Sequence, residues 1–389
     1  MDLDSFFVSV ERKINPKLNN KPVLVGGSSD RGVVASCSYE ARQFGIHSAM
    51  PMRMARQLCP EAIIVKGDHE QYSKYSNEVT EIIKENVPLY EKASIDEFYV
   101  DLSGMDKFFG CYKLAQEIRH KIIKETDLPI SFALSCNKTV SKIGTGEAKP
   151  NNHRQILSGT EKDFLAPLSI KKIPMVGDKT YQLLRNMGVE KVKTVQEMPV
   201  KVMQKVLGEN GIALWKKANG IDNSAVIPYN ERKSISTECT FEKDTIDVAH
   251  LNRVLISMCE KLGYQLRSED KLTACITVKI RYSDFNTYTM QAKISYTAMD
   301  SMLIEKVKEL FNKLYEKRML IRLIGIRLSH LIQGAYQFDL FNESMVEQVQ
   351  LYNTMDKLRQ RFGDDAVMRA AGLNLNKRDT NLFNGIKSK

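Results

Sequence analysis

No apolar run in the chain approaches the roughly 20 residues needed to span a bilayer, and no basic-then-apolar leader opens it, so neither membrane insertion nor secretion is expected. Seven cysteines (Cys37, Cys59, Cys111, Cys136, Cys239, Cys259 and Cys275) are scattered without one CxxC pair. That excludes the spacing of a structural zinc site and suits a reducing, cytoplasmic setting. Internal repeats and low-complexity tracts are missing as well. What is present, 43% hydrophobic and 27% charged residues, is the composition of a soluble globular protein.

At 389 residues the chain is too long for one ordinary core, and two to four domains are expected. A formal net charge of +10 points toward a polyanionic partner, because Lys and Arg that neutralise phosphates release counterions. Many basic proteins bind no nucleic acid, so charge alone decides nothing.

The opening MDLDSFFVSVE reads as a short strand entering a helix, followed by strands in PVLVGG and GVVASCS and a short helix in YEARQFG that Gly45 can stop. Residues 70 to 86 and 108 to 126 have helical spacing, while 93 to 103 and 130 to 136 alternate like strands, which suggests a split βαβ sheet. Helical segments with turn-rich joints fill 160 to 221, and a polar stretch without apolar period, 222 to 234, reads as a linker. Beyond it come a strand (235–241), a helix (246–266), two strands (271–282, 285–296), a helix (300–316) and a strand (320–331). That is an α+β module with a four-stranded sheet. The tail, 333 to 389, holds an aromatic patch and a helix over about 343 to 371, whose stripe of Leu351, Met355, Leu358 and Phe362 predicts self-packing.

Asp2 and Asp4 flank Leu3 on a strand and so share one face, and Asp96 with Glu97 sits in the apolar strand context SIDEFYVDL. Unpaired buried carboxylates cost several kcal/mol, so acids at strand ends beside a core commonly hold a cation. Oxygen ligands without His or Cys suit a hard ion such as Mg²⁺, and two such ions can clamp the attacking and leaving oxygens of a phosphoryl displacement. Solvated strand-edge acids are the equal alternative on spacing alone. Tyr39 and Arg42, three apart beyond Ser36 in ASCSYEAR, would project together and could grip phosphate, or Arg42 could sit in a surface salt bridge.

The blocks MDLDSFF, SYEARQFGI, ASIDEFYVDLS, LSCNKTVSKIGTGEAKPN and IPMVGDKT, in this order across residues 1 to 331, resemble the Y-family of DNA polymerases, in its DNA polymerase IV branch. The resemblance implies an α+β right-hand architecture: a ferredoxin-like palm (1–10 and 76–159), fingers (11–75), a helical thumb with a helix-hairpin-helix (160–221) and a little finger (235–332). It implies low-fidelity, lesion-bypass synthesis by template-directed addition of deoxynucleoside triphosphates to primer-template DNA, by a cytoplasmic monomer using two Mg²⁺ ions. Matched residue by residue, Asp2, Asp96, Glu97 and the Leu3 carbonyl fall on the metal ligands, with Asp4 supporting and Asp101 structural. Ser36, Tyr39, Arg42 and Lys149 fall on triphosphate contacts, and Phe7 on the sugar-sensing residue, with Phe6 beside it in the pocket or in the core. Ala35 and Cys37, small residues around Ser36, fit a roomy pocket over the templating base. One departure stands out: the family usually carries several apolar residues before the first metal-binding Asp, and here Met1 alone precedes Asp2, so a short first palm strand or a longer start is expected.

In IPMVGDKTYQLLRNMGV, Gly177 would make a tight turn and bring backbone N–H groups and Lys179 to a phosphate. Arg232, Lys233, Lys279, Arg281, Arg322 and Arg327 recur at near-alternating spacing, which predicts a cationic sheet face along duplex backbone, or merely a solvated one. QFDLF, with Gln337, Phe338, Leu340 and Phe341, resembles the peptide by which bacterial polymerases dock on the sliding clamp, although an apolar tail packed on its own domain would look similar. Two other readings remain: a nucleotidyl cyclase, which shares such a palm, and a catalytically inactive DNA-binding or clamp-associated accessory protein.

Overall fold

A computed structural model of the chain describes residues 1–105, 110–228, 231–334, 343–363 and 366–372. It forms two compact units divided between residues 230 and 231.

The first unit is organised around the two-residue strand Asp2–Leu3. It pairs antiparallel with Ile130–Leu134, which pairs parallel with His153–Gln155. On its other side Asp2 bridges Glu97, the Leu3 amide donates to the Asp96 carbonyl (3.0 Å), and the Phe98 amide donates to the Met1 carbonyl (2.9 Å). The hairpin Leu89–Lys92/Phe98–Asp101 thereby continues the sheet. Helices His69–Asn86 and Cys111–Thr126 pack against it, with Val79, Ile83, Ile118 and Ile122 joining Leu3, Phe98, Ile130 and Phe132 in one buried cluster. Asp68 starts the first of these helices by accepting from the amides of Glu70 and Gln71.

The single strand expected over 93 to 103 is broken. Ser94 Oγ accepts from the amides of Asp96 (3.3 Å) and Glu97 (3.0 Å), and the Ala93 amide donates to the Glu97 carbonyl (3.0 Å). This side-chain-to-backbone bonding makes a turn out of the SIDE segment and puts both acids at the tip of a hairpin.

A smaller sheet, ordered Val34–Cys37, Val23–Gly26, Ile63–Val65, has its own core of Leu24, Val34, Cys37, Ala41 and Met52. Helices Glu161–Leu165, Asp178–Asn186, Val192–Glu197, Val200–Leu207 and Glu209–Ala218 enclose Leu165, Leu184, Val192, Met203 and Leu214. Residues 221 to 228 carry neither helix nor strand, yet they are fastened. The Asp222 carboxylate accepts from Thr139 N (3.1 Å) and Oγ1 (2.7 Å), and the Ile227 amide donates to Glu91 Oε2 (2.7 Å).

The second unit is a four-stranded antiparallel sheet in the order Thr287–Thr297, Lys271–Tyr282, Ile321–Gln333, Ser234–Thr245. Ile276, Val278 and Ile280 are buried against helices Val248–Ser268 and Asp300–Leu314 together with Leu255, Leu262, Val307 and Phe311. Thr277, Lys279 and Arg281 alternate with them and face the other way.

The final helix, Glu343–Phe362, ends before Gly363, whose φ of 98° leaves the helical region, rather than at 371. Its expected apolar stripe is on the outside: Leu351, Leu358 and Phe362 are 57%, 40% and 65% exposed. The buried stripe is Tyr352, Asp356 and Arg359. The reason is Arg267, whose guanidinium binds Asp356 Oδ2 through Nε at 2.6 Å and Asp300 Oδ1 through Nη1 at 2.7 Å, so that polar side chains are buried in ion pairs.

Candidate active site

Two neighbouring strand segments bring three acids together. Asp2 and Glu97 face each other across the bridge, and Asp96 precedes Glu97 in the turn that Ser94 closes, with Ser94 Oγ donating to Asp96 Oδ1 at 2.6 Å. Burial raises the Asp2 carboxyl above its ordinary pKa; Lys149 opposes this, and the nearby charges of Asp96 and Glu97 add to it. Among the described residues no three acidic, His or Cys side chains stand close enough together, as placed, to enclose an ion. Ammonium groups hold two of the acids. Lys149 Nζ donates to Asp2 Oδ1 (2.5 Å) and the Leu3 carbonyl (3.3 Å), and Lys142 Nζ donates to both Glu97 oxygens at 2.6 Å.

These contacts test whether a divalent cation suits the site. The donors are carboxylate and carbonyl oxygens, the hard set that Mg²⁺ and Ca²⁺ prefer, and an ammonium already sits against two of them as a cation stand-in. The residues fit. Sequence reasoning missed Lys142, although it lies seven residues before Lys149, two turns away and on the same side of helix Lys138–Ala148 and its end.

Asp4 is a structural hub. At 2% exposure its Oδ2 accepts from Ser131 Oγ (2.8 Å) and the Asn151 amide (2.7 Å), and its Oδ1 accepts from Tyr39 OH (3.3 Å). With its lone pairs so engaged it ties Tyr39 to the strand that carries Asp2. Burial first, then the Asp4 charge, pushes the Tyr39 phenol well above its usual pKa, so it stays a donor. Tyr39 and Arg42 lie on the short helix Tyr39–Arg42, capped by Ser38 Oγ, with the Arg42 guanidinium 4.6 Å from the Tyr39 ring centre and its Nη2 donating to Ser5 Oγ at 3.2 Å. Ser36 and Ala35 are half-buried on the preceding strand and Cys37 is fully buried. Asp101 stands apart from the acids, accepting from the Ser103 amide at 2.8 Å.

Phe6 is 2% exposed and its ring belongs to the core. Phe7 is half-buried and stacks on Tyr72, ring centres 4.2 Å apart, with His69 edge-on at 5.6 Å. Tyr72 OH in turn donates to Glu11 Oε1 at 2.5 Å.

Gly177 does not make a tight turn. Its φ of −82° is open to any residue, and an added Cβ would meet nothing within 4 Å; the positive φ lies at Met175 (84°). Gly177 does cap helix Asp178–Asn186 without any side-chain hydrogen bond there, and Lys179 is exposed in the first turn. In the second unit Lys279, Arg281 and Arg327 share the sheet face opposite the helices, where Thr277 is opposite Arg327, while Lys279 pairs with Glu238 and Arg281 Nε donates to Thr287 Oγ1 at 2.8 Å. Arg322 departs from that alternation at a bulge and lies over the Phe285 ring, 4.5 Å from its centre. Arg232, bound to Glu269, and Lys233 precede the first strand. Gln337, Phe338, Leu340 and Phe341 lie outside the described residues.

Comparison with known proteins identifies the family. The model of the impB/mucB/samB family matches residues 1–146, and that of the family's C-terminal domain matches residues 232–340. A DNA polymerase IV of Dehalococcoides mccartyi is 36% identical over 371 residues, covering 94% of this chain and 95% of that protein. Two solved structures match at 27% identity over 86% of this chain and 98% of theirs: a Y-family DNA polymerase chimera of Dbh and Dpo4, with a TM-score of 0.73, and an insertion ternary complex of Dbh DNA polymerase, with a TM-score of 0.62. On the strength of near-full-length similarity and a shared fold, the chain belongs to the Y-family of DNA polymerases, in its DNA polymerase IV branch.

Proposed function

We infer that the chain is a DNA-directed DNA polymerase of the translesion kind, which binds primer-template DNA and deoxynucleoside triphosphates and depends on a divalent metal ion. The observation that carries this reading is that Asp2 bridges Glu97, with Asp96 next to it in the turn, beside Lys149 and within one hydrogen bond of Tyr39 through Asp4. Asp2, the Leu3 carbonyl, Asp96 and Glu97 would hold two Mg²⁺ ions, which supply charge neutralisation at the attacking primer oxygen and the departing pyrophosphate. Lys149, Arg42 and Tyr39 donate to triphosphate oxygens, Ser36 borders them, and their positive charge stabilises the leaving group. Primer extension on a primed template with four deoxynucleotides and Mg²⁺ tests this. Stepwise, template-matched addition is expected, and no addition, or addition that ignores the template, would overturn it. Neither a nucleotidyl cyclase nor an inactive accessory protein is favoured.

Phe7 presents a ring held from behind by Tyr72, and such a wall at C2′ leaves no space for a ribose hydroxyl. Phe7→Ala is expected to raise ribonucleotide incorporation relative to deoxynucleotide by roughly two orders of magnitude in kcat/KM, on the order of 3 kcal/mol. An unchanged ratio in single-nucleotide insertion would remove Phe7 from the pocket. The small Ala35 and Ser36 leave the nucleotide loosely enclosed, which agrees with lesion tolerance.

Duplex backbone is read without sequence by the cap at Gly177, Lys179 and the cations of the second unit, Arg232, Lys233, Lys279, Arg281, Arg322 and Arg327. Arg281→Glu with Arg327→Glu should lower affinity for primer-template and flatten its dependence on salt by about two phosphate contacts, a slope change of roughly 2. A slope equal to that of the unaltered protein would contradict this. The segment from Gln337 to Phe341 is proposed to dock on the sliding clamp, the polymerase itself acting as a cytoplasmic monomer. Deleting it should spare basal synthesis and remove stimulation by clamp, and equal stimulation of both proteins would refute docking there. Among the described residues no helix is long and apolar enough to cross a membrane.

A further inference from the structure

Lys149 follows the last residue of helix Lys138–Ala148, and its amide donates to the Thr145 carbonyl at 3.1 Å, so the backbone that carries it is fixed. The side chain reaches back to the acids. Its ammonium is 2.5 Å from Asp2 Oδ1, 3.3 Å from the Leu3 carbonyl and 3.6 Å from Asp4 Oδ1. Asp4 accepts from Ser131, Asn151 and Tyr39 and adds an ion pair at longer range, so the ammonium's hydrogen-bond partners are Asp2 and Leu3. Those are two of the oxygens that the metal reading above requires.

A divalent ion binds such oxygens at about 2.1 Å and an ammonium hydrogen-bonds to them at about 2.8 Å, so on the same oxygens the two positive charges would stand roughly 4 Å apart. The side chains of Lys149 and Asp2 are only 19% and 22% exposed, so water screens their interaction incompletely. Each cation therefore weakens the binding of the other. Lysine is also suited to leaving, since its charge rides on a flexible four-carbon stem and can move while the backbone stays still.

Resting on the metal reading, we propose that Lys149 is an internal counter-ion that competes with divalent metal for the Asp2–Leu3 oxygens in the nucleotide-free protein. Divalent metal binds there more tightly as the ammonium withdraws. Lys149 is thus a positioning residue for the acids as well as a phosphate contact, and it keeps the partly buried Asp2 carboxylate paired until then.

Binding of Mn²⁺ alone to the nucleotide-free full chain, followed by electron paramagnetic resonance, tests this without reference to catalysis. Lys149→Met and Lys149→Gln, two neutral side chains of different polarity, are each expected to bind Mn²⁺ at least fivefold more tightly than the unaltered protein, while Lys149→Arg, which keeps the charge, remains weak. The gain should vanish when Asp2→Asn is added to Lys149→Met. Equal or weaker binding by both neutral variants, with thermal melts showing them folded, would overturn the counter-ion role. A gain that survives Asp2→Asn would instead overturn the metal site at Asp2.

Discussion

Glu97→Ala should lower the rate of primer extension by about three orders of magnitude, on the order of 4 kcal/mol of transition-state stabilisation, while leaving affinity for primer-template DNA within about twofold. Glu97 lies at a hairpin tip, 28% exposed on its side chain, and its recorded side-chain partner is the Lys142 ammonium. Its loss therefore creates no cavity and leaves no buried orphan, so the fold should survive and the effect should be chemical. Single-turnover insertion with saturating DNA separates the two quantities. A variant that inserts nucleotides at the unaltered rate would show that Glu97 belongs to a solvated strand edge, the reading that sequence spacing left open.

Arg267→Ala should be the most damaging single change to the second unit. Its guanidinium, 7% exposed, binds Asp300, Asp356 and the Ala298 carbonyl and lies 4.8 Å from the Tyr352 ring centre. Removing it leaves the Asp300 carboxylate without its ion-pair partner and Asp356 with Arg359 alone, and breaking a buried pair from one side costs about 3–5 kcal/mol, a fall of roughly 10 °C in the melting temperature of this unit. Burial raises the Asp300 carboxyl and Arg267 opposes that rise, so in the variant its folded pKa should climb further above the unfolded value. A carboxyl raised on folding holds its proton more tightly in the folded state. The stability it contributes is present at acidic pH and lost as pH rises through the folded pKa, so the deficit against the unaltered protein should be smallest in acid and grow toward neutrality. Thermal melts at several pH values measure this, and a midpoint that does not move would contradict it.

The same cluster shows where sequence reasoning stops. Strands of the second unit were legible because Ile276, Val278 and Ile280 alternate with Thr277, Lys279 and Arg281, and one face of that sheet is covered by helices while the other is not. The last helix was legible as a helix and misread as to its face. Apolar periodicity pointed to Leu351, Met355, Leu358 and Phe362, whereas the buried residues Tyr352, Asp356 and Arg359 start one position later. Nothing local reveals that Arg267, 89 residues from Asp356, will satisfy them. Periodicity assumes that buried means apolar, and a paired charge set defeats it.

At the candidate site the acids could be found from sequence but their opposition could not. Asp2 and Glu97 are brought face to face by a strand register set by backbone bonds, including Leu3 to Asp96, 93 positions away. Ser94 was the overlooked signal for the turn, since a serine two and three residues before the acids can accept both their amides. Gly177 was overread, because a glycine in a turn need not be the residue with positive φ. Phe6 and Phe7 share one dipeptide, and the helix that starts at Phe6 sends the first ring into the core and the second onto Tyr72.

The most direct measurement is anomalous scattering from Mn²⁺ in crystals of the chain with primer-template DNA and a non-hydrolysable deoxynucleoside triphosphate. Two peaks bounded by Asp2, the Leu3 carbonyl, Asp96 and Glu97, with the Lys149 ammonium moved onto the triphosphate, are the predicted result. Metal bound elsewhere in an otherwise complete complex, with Lys149 still on Asp2 and Lys142 still on Glu97, would contradict the catalytic role assigned to these acids.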